Sequence, residues 1–254
     1  MTVTIAISNQ KGGVAKTTTC LSLGATLAEM GYLVLLIDLD PQASLTLSMG
    51  LRPGDLRRTV EDALLANTSL VSVSRESSIL GLDVIPANQR LLVLDKALYG
   101  GHGFQHRLKY GIDSMGHGLY DFVLIDCPAS VGTLTLNALT AANLLIIPSQ
   151  CEYYAAQALP PYMRLVQQMR EKTNPGLRYR VLVTMFDQRN KICQVILERM
   201  QNGLNSLLFE TIIEIDNKLR ESPAFGQAIT SYAPKSRAAE QYRALAKELL
   251  NHGH

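Results

Sequence analysis

Short apolar runs alternate with segments of helical periodicity along most of the chain. The runs predict strands at Val3–Ser8, Leu33–Ile37, Asp83–Ile85, Phe122–Ile125, Leu144–Ile147, Arg180–Thr184 and Ile212–Ile215. The second of them is apolar at every position, which is typical of a strand buried on both faces of a parallel sheet. The strand pattern alone therefore favours a sheet that is covered on both sides.

Apolar residues at helical spacing fill the gaps between the predicted strands. The predicted helices include Thr17–Met30, Ala155–Glu171, Lys191–Met200 and Ser236–Leu250. The first stops at Gly31, a residue suited to closing a helix. Strands alternating with helices predict an α/β fold, with one doubly wound, mostly parallel sheet and helices on both faces. No linker composition or internal repeat divides the chain, so we expect a single domain over residues 1–254.

Composition narrows the class of protein without deciding its function. The chain has 254 residues, 47% of them hydrophobic, with a formal net charge of +2. This length supports one sizeable core, and the weak charge leaves room only for a local basic patch. No secretory signal or membrane-length apolar run is present, and no cysteine pair has C-x-x-C spacing. We therefore expect a cytoplasmic protein whose cysteines are reduced thiols, namely Cys20, Cys127, Cys151 and Cys193.

The segment between the first predicted strand and the first predicted helix has the features of a phosphate-binding loop. Residues 11–18 read K-G-G-V-A-K-T-T, against the usual G-x-x-x-x-G-K-[ST], with Gln10 and Ala15 at the two glycine positions. Glycines let successive backbone N–H groups face phosphate oxygens, and the helix dipole adds positive potential. Lys16 then reaches the β- and γ-phosphates. The predicted nucleotide-binding residues are Gly12, Gly13, Val14, Ala15, Lys16, Thr17 and Thr18.

Aspartates follow two of the other predicted strands. Asp38 and Asp40 come after the second strand, and Asp126 ends the Phe122–Ile125 run. The carboxyl ends of parallel strands meet at one edge of the sheet, where ligands bind in this class of fold. We expect Mg²⁺ to be held by Thr17 with Asp38 and Asp126, partly through water. Asp40 is the candidate for positioning or deprotonating the attacking water.

These motifs, and others spread over nearly the whole chain, carry a resemblance to a known family. The chain resembles ParA-type partition ATPases, close to the Soj-like group of the deviant Walker-A class of P-loop NTPases. The matching segments are S-N-Q-K-G-G-V-A-K-T-T-T from Ser8, L-I-D-L-D-P-Q from Leu36, L-I-D-C-P-A-S from Leu124, L-T-L-N-A-L-T-A-A from Leu134, Q-C-E-Y-Y-A from Gln150, V-T-M-F-D from Val183, E-S-P-A-F-G-Q-A-I from Glu221 and A-E-Q-Y-R-A-L-A from Ala239.

The resemblance implies an ATPase that forms a homodimer with two ATP molecules and Mg²⁺ at its interface. Lys11 is then the signature lysine that reaches the partner's nucleotide, and it joins Lys16 and Asp40 as a catalytic residue. The dimer is expected to bind double-stranded DNA non-specifically, to associate with the nucleoid, and to be stimulated by a ParB-like partner, without a membrane. The expected DNA-binding residues are Arg189, Lys218, Arg220, Lys235 and Arg237.

Two stretches depart from the family pattern. Ala15 replaces a glycine, and a positive φ there would cost roughly 1 kcal/mol or more, whereas a negative φ would be tolerated. Residues 100–118 are rich in glycine and contain His102, His106 and His117. No carboxylate-rich partner accompanies these histidines, so a surface loop or a partner-specific surface is favoured over a metal site.

Three alternative functions share parts of this pattern. A MinD-like membrane ATPase needs an added basic amphipathic helix, whereas the apolar stripe of Ser236–Leu250 fits packing on the sheet. A nitrogenase-like or cluster-assembly ATPase needs paired cysteines. A ParA-like positioner of a protein cluster or microcompartment would share the same ATPase core. Since the chain starts on its first strand, we expect no N-terminal DNA-binding extension of the kind found in some plasmid ParA proteins.

Overall fold

A seven-stranded sheet forms the centre of the computed structural model, which describes residues 2–66, 68–98, 103–116 and 118–251. The spatial order is β3-β4-β2-β5-β1-β6-β7, and only the two-residue β3 is antiparallel to its neighbour. The strands are β1 Val3–Ile7, β2 Val34–Asp38, β3 Arg75–Glu76, β4 Leu82–Ile85, β5 Phe122–Asp126, β6 Leu144–Gln150 and β7 Arg178–Thr184. The predicted doubly wound, mostly parallel sheet in a single domain is confirmed.

Helices cover both faces of this sheet. They are α1 Lys16–Glu29, α2 Ser44–Ser48, α3 Val60–Ala66, α4 Leu70–Val73, α5 Leu91–Leu98, α6 Arg107–Asp113, α7 Thr133–Ala141, α8 Tyr153–Lys172, α9 Lys191–Leu204, α10 Asn217–Glu221, α11 Ile229–Tyr232 and α12 Arg237–Asn251. Short 3₁₀ turns lie at Pro53–Asp55, Phe104–His106, Asn205–Leu207 and Ser222–Phe225.

Alternate residues of each central strand enter different hydrophobic cores, as the period of a strand requires. Leu36 packs with α1 and α12 on one face, while Leu35 and Ile37 pack with α3, α5, α7 and α8 on the other. The apolar stripe of the last helix is buried against α1, with Tyr242 fully buried and its hydroxyl 3.2 Å from that of Thr19. The prediction that this stripe packs on the core is confirmed.

The predicted strand Ile212–Ile215 is wrong. The segment makes one isolated bridge, between Glu214 and Phe186, and is otherwise irregular. Its physical cause lies in β7, which ends at Thr184 because Met185 turns the chain with a φ of 54°. The segment still bonds to the chain at this end of β7: the N–H of Ile213 donates to the carbonyl of Val183 at 2.9 Å, and that of Ile215 donates to the carbonyl of Phe186 at 3.0 Å. It therefore lies along the end of β7 as a wall rather than as another strand.

Other predicted boundaries differ from the structure by a few residues. The first helix begins at Lys16 rather than Thr17 and ends before Gly31, whose φ of 92° fits the predicted stop. In the glycine-rich stretch, the His106 ring stacks on Tyr110 with centroids 5.9 Å apart. His102 and His117 lie outside the described residues. Within the described ranges, no helix is both long enough and apolar enough to cross a bilayer.

Candidate functional site

The loop between β1 and α1 has the geometry of an anion-binding turn. Gly13 and Ala15 both adopt left-handed backbone conformations, with φ of 72° and 66°, while the Val14 side chain between them is buried. No side chain caps the first turn of α1, so its N–H groups remain available for a ligand. Such alternation directs successive N–H groups into one concavity and suits a phosphate. The structure therefore answers the question that the sequence left open: Ala15 has a positive φ.

Side chains from the ends of β6 and β7 hold the carbonyl groups of this loop. Gln150 donates its amide to the carbonyl of Gly13 at 3.2 Å, and Thr184 donates its hydroxyl to that of Val14 at 3.0 Å. The ammonium of Lys16 donates to a third loop carbonyl, that of Lys11, at 3.3 Å. Lys16 is 8% exposed, so its charge is held inside the loop.

Two aspartates at adjacent strand ends lie beneath the loop. Asp38 and Asp126 are paired in register between β2 and β5, and both are fully buried. The hydroxyl of Thr17 donates to Oδ2 of Asp126 at 2.7 Å. The other carboxylate oxygen, Oδ1, has no hydrogen-bond partner among the described atoms. Burial, together with the charge of Asp38, raises the pKa of Asp126.

This arrangement fits a magnesium ion that is bound mainly by phosphate and water. A buried carboxylate oxygen without a partner is costly unless it receives a hydrogen bond. Mg²⁺ keeps several waters and uses few protein ligands. No group of three or more His, Cys, Asp or Glu side chains in the described part of the chain forms a metal cage. The residues present therefore fit a magnesium ion for which Thr17 would be the protein ligand and Asp126 would accept from a metal-bound water.

Asp38 mainly organises the turn that follows β2. Its Oδ2 accepts hydrogen bonds from the backbone N–H and hydroxyl of Thr46, at 2.9 and 2.7 Å, and Oδ1 accepts from the N–H of Asp40 at 3.0 Å. Burial raises the pKa of Asp38 to about 6, although these hydrogen bonds oppose the shift. The expected contact of Asp38 with magnesium waters stays a prediction, because the described hydrogen bonds of this carboxylate are all internal.

Asp40 lies where a ligand of the loop can reach it. A cavity of 510 Å³ opens in front of the phosphate loop, and Asp40 lines it together with Lys16, Thr17 and Thr18. Oδ1 of Asp40 accepts from the N–H of Gln42 at 2.9 Å, which fixes the carboxylate on its turn. The opposite wall is formed by Met185 and residues 213–223. The cavity therefore combines a phosphate cradle, a carboxylate and a wall of mixed polarity, in which Ile213 and Leu219 stand beside Glu214, Asp216 and Arg220.

Lys11 lies beside this cavity and is not among its lining residues. Its ammonium donates to Oε1 of Gln150 at 3.0 Å and forms an ion pair with Glu152 at 2.7 Å. The lysine side chain is 28% exposed and that of Glu152 is 59% exposed. The ammonium of Lys11 is thus held at the surface, away from the cavity in front of the phosphate loop.

The expected DNA-binding residues do not all share one surface. Arg189, Lys218 and Arg237 line a second cavity of 840 Å³. Arg220 lines the cavity in front of the phosphate loop instead. Lys235 is exposed in the turn before α12. The structure therefore brings three of the five residues together.

Each basic residue of the second cavity is paired with a nearby acid. The pairs are Arg189 with Asp187 at 3.0 Å, Lys218 with Glu221 at 3.0 Å, and Arg237 with Glu214 at 2.8 Å. Glu214 also accepts hydrogen bonds from Gln188 and Gln241. Residues 214–216 line both cavities and form a shared wall.

Comparison with known proteins identifies the family to which the chain belongs. The profile of the AAA domain family matches residues 2–179. Over 98% of both chains, the sequence is 38% identical to the sporulation initiation inhibitor protein Soj of Bacillus subtilis. The chromosome partitioning protein ParA of Caulobacter vibrioides is 35% identical over 97% of this chain and 93% of that protein. The chain belongs to the family of ParA-type partition ATPases.

A solved structure extends this family match to the fold. The cobyrinic acid a,c-diamide synthase from Mycobacterium smegmatis, solved with bound ADP and magnesium, superposes with a TM-score of 0.87. It is 35% identical, and the match covers 99% of this chain and 95% of that one. The P-loop fold predicted from the motifs is therefore confirmed.

Some residues of the site were not found by sequence reasoning. Thr184 and Glu152 lie inside quoted family segments, yet their spacing gives no sign of a contact with the loop. Their partners Val14 and Lys11 are 170 and 141 positions away. These contacts follow from the spatial order of the strands, which places β6 beside β1 and β7 beside β6.

Proposed function

We propose that the chain binds ATP with Mg²⁺ and forms a homodimer around two nucleotides. The dimer binds double-stranded DNA without sequence preference, and a ParB-like partner stimulates its hydrolysis of ATP. Repeated cycles would segregate or position chromosomal or plasmid DNA. Family membership, the phosphate-loop geometry and the buried acids beneath it support this proposal.

The position of Lys11 carries the dimer part of the proposal. Its ammonium lies outside its own cavity, at 2.7 Å from a carboxylate that is more than half exposed. An exposed ion pair of this kind is weak, so little free energy opposes its exchange for another anion. A cation supplied from a second subunit to a transferring phosphoryl group is worth roughly 10³–10⁵ in rate.

The other residues of the site have different roles in the proposed hydrolysis of ATP. Lys16 and the N–H groups of the loop bind the phosphates, and Thr17 with Asp126 hold the magnesium sphere. When bound, the ion would neutralise negative charge on the phosphates. Asp40 orients or deprotonates the attacking water, since it is the aspartate of the 38–40 turn that lines the cavity.

Three alanine variants test this division of tasks. Lys16→Ala should abolish nucleotide binding, and Lys11→Ala should bind ATP but fail to form the stimulated dimer. Asp40→Ala should retain ATP and DNA binding but lose turnover. Nucleotide binding, light scattering and phosphate release measure the three steps. Normal turnover by Asp40→Ala, or normal dimerisation by Lys11→Ala, would contradict the corresponding role.

DNA binding is tested by gel shift with ATP, ADP or no nucleotide across a salt series. Log affinity should fall linearly with log salt concentration, by about 0.9 per phosphate contact. Arg189→Ala should reduce this slope by about 2, because the dimer loses one contact from each subunit. Lys109→Ala is a matched control, since that lysine lies on α6 and lines neither cavity. An unchanged slope for Arg189→Ala would remove this arginine from the interface.

Cellular placement follows from the same cycle. A dimer that binds DNA non-specifically would act in the cytoplasm and associate with the nucleoid. Co-sedimentation with vesicles of anionic phospholipid provides the test against a membrane-cycling ATPase. ATP-dependent binding to such vesicles would overturn this placement.

A further inference from the structure

Thr184 and Gln150 form a pair of neighbours that hold two successive carbonyl groups of the phosphate loop. They are partners in register at the carboxyl ends of β7 and β6. Gln150 binds the carbonyl of Gly13, and Thr184 binds that of Val14. Both contacts join the loop to strands that follow it by more than 130 residues, so they are features of the tertiary fold.

Holding a carbonyl also fixes the next N–H group. A trans peptide is planar, and its C=O and N–H bonds point in opposite directions. The carbonyl of Val14 is held toward the fully buried Thr184, so the N–H of Ala15 is directed to the opposite side. Ala15 lines the cavity on that side. The same reasoning applies to the carbonyl of Gly13 and the N–H of Val14.

The strain at Ala15 makes this restraint necessary. Rotating the peptide between Val14 and Ala15 changes the φ of Ala15, and a negative φ is favoured for any residue with a Cβ. Ala15 nevertheless has a φ of 66°. A hydrogen bond to the Val14 carbonyl opposes the rotation that would relieve this strain and turn the N–H away from the cavity.

We propose that Thr184 is a positioning residue for nucleotide binding, which orients the Ala15 N–H by holding the Val14 carbonyl. Gln150 acts similarly on the preceding peptide, but it also contacts Lys11, so Thr184 gives the cleaner test. The inference rests on the proposed nucleotide binding and is independent of DNA, of dimerisation and of hydrolysis. It adds a specific residue at the end of β7 to the phosphate site.

The test measures binding of a fluorescent ADP analogue with Mg²⁺, because ADP is not hydrolysed and reports the loop alone. Thr184→Val and Thr184→Ala remove the hydroxyl and should each raise the Kd about tenfold, whereas Thr184→Ser keeps it and should stay within twofold of the wild type. Thr26→Val is the matched control. That threonine is also fully buried and donates to a backbone carbonyl at 2.7 Å, but it lies about 15 Å along α1 from Lys16.

A second arm separates positioning from a general loss of stability. Thr184→Val should raise the Kd by only about threefold in the Ala15→Gly background, because glycine has no preference for negative φ and no strain drives the peptide to rotate. All measurements are made well below the melting temperature of each variant.

The outcomes are distinct. Failure of the wild type to bind ADP would refute the proposed function. With a wild type that binds, a Kd within twofold for Thr184→Val and Thr184→Ala would overturn the inference. An equal loss in Thr26→Val would overturn it too, and so would an equal effect of Thr184→Val in both backgrounds.

Discussion

Replacing Ala15 with glycine should stabilise the protein. A residue with a Cβ in the left-handed region costs roughly 1–2 kcal/mol, and Ala15 has φ 66° and ψ 35°. Glycine gives the unfolded chain more freedom, which removes roughly 0.4–1 kcal/mol of the gain. The expected net increase in the free energy of unfolding is therefore about 0.5–1 kcal/mol. For a chain of this length, that corresponds to a rise in Tm of about 1–4 °C.

The assay is urea and thermal unfolding without nucleotide, with two matched substitutions for comparison. Ala43→Gly should give a gain of the same sign, because Ala43 precedes α2 with a φ of 55°. Ala244→Gly should lose about 1 kcal/mol, because Ala244 is exposed inside α12 and glycine weakens a helix interior. If Ala15→Gly behaved like Ala244→Gly, the backbone at residue 15 would not be strained.

The Kd for ADP shows whether Ala15→Gly changes only the stability of the protein or also changes its nucleotide site. Glycine adopts the left-handed conformation of Ala15 as readily as a right-handed one, so the substitution leaves the orientation of its N–H group accessible. Ala15→Gly alone should therefore change the Kd for ADP by less than about threefold. A much larger change would mean that the loop adopts this conformation only around a ligand, and the strain argument would fail.

Three further predictions concern charges around the site. Glu152→Gln removes the carboxylate that holds Lys11, so the ATP concentration for half-maximal dimerisation, measured by light scattering, should fall about twofold; a rise would be contrary to the argument. The carboxyl of Asp38 has a pKa of about 6 in the folded protein and about 4 in the unfolded chain. Its contribution to the free energy of unfolding is therefore fully present below pH ~4 and is lost as the pH rises through 6. Asp38→Asn should therefore flatten the fall in unfolding free energy between pH 4.5 and 7, and an unchanged slope would count against the assigned pKa. Glu248→Gln weakens the largely buried pair with Arg180 and should cost about 2 kcal/mol in urea unfolding, while a shifted Kd for ADP would show that the pair also affects the nucleotide site.

Sequence patterns predicted the elements and site residues that depend on local chemistry. Six strands and four helices were found because their periodicity and flanking glycines are local signals, and the loop residues were found because a phosphate cradle needs contiguous N–H groups. The segment 212–215 was misjudged because its apolar residues are typical of a strand, while the turn at Met185, which ends β7 and limits the pairing to one bridge, is a tertiary feature. The sign of φ at Ala15 was undecidable for the same reason. The neighbouring carbonyl of Val14 is held by Thr184, 170 positions away, and no local pattern encodes that contact.

The wall shared by the two cavities has a thermodynamic consequence. Residues 214–216 border both the phosphate-loop cavity and the basic cavity, so a ligand that reshapes this wall from one side alters the free energy of binding on the other. Such coupling is reciprocal: if ATP raises the affinity for DNA by some factor, DNA must raise the affinity for ATP by the same factor. The gain in ATP affinity caused by DNA and the gain in DNA affinity caused by ATP would then be one coupling free energy, which either titration can measure.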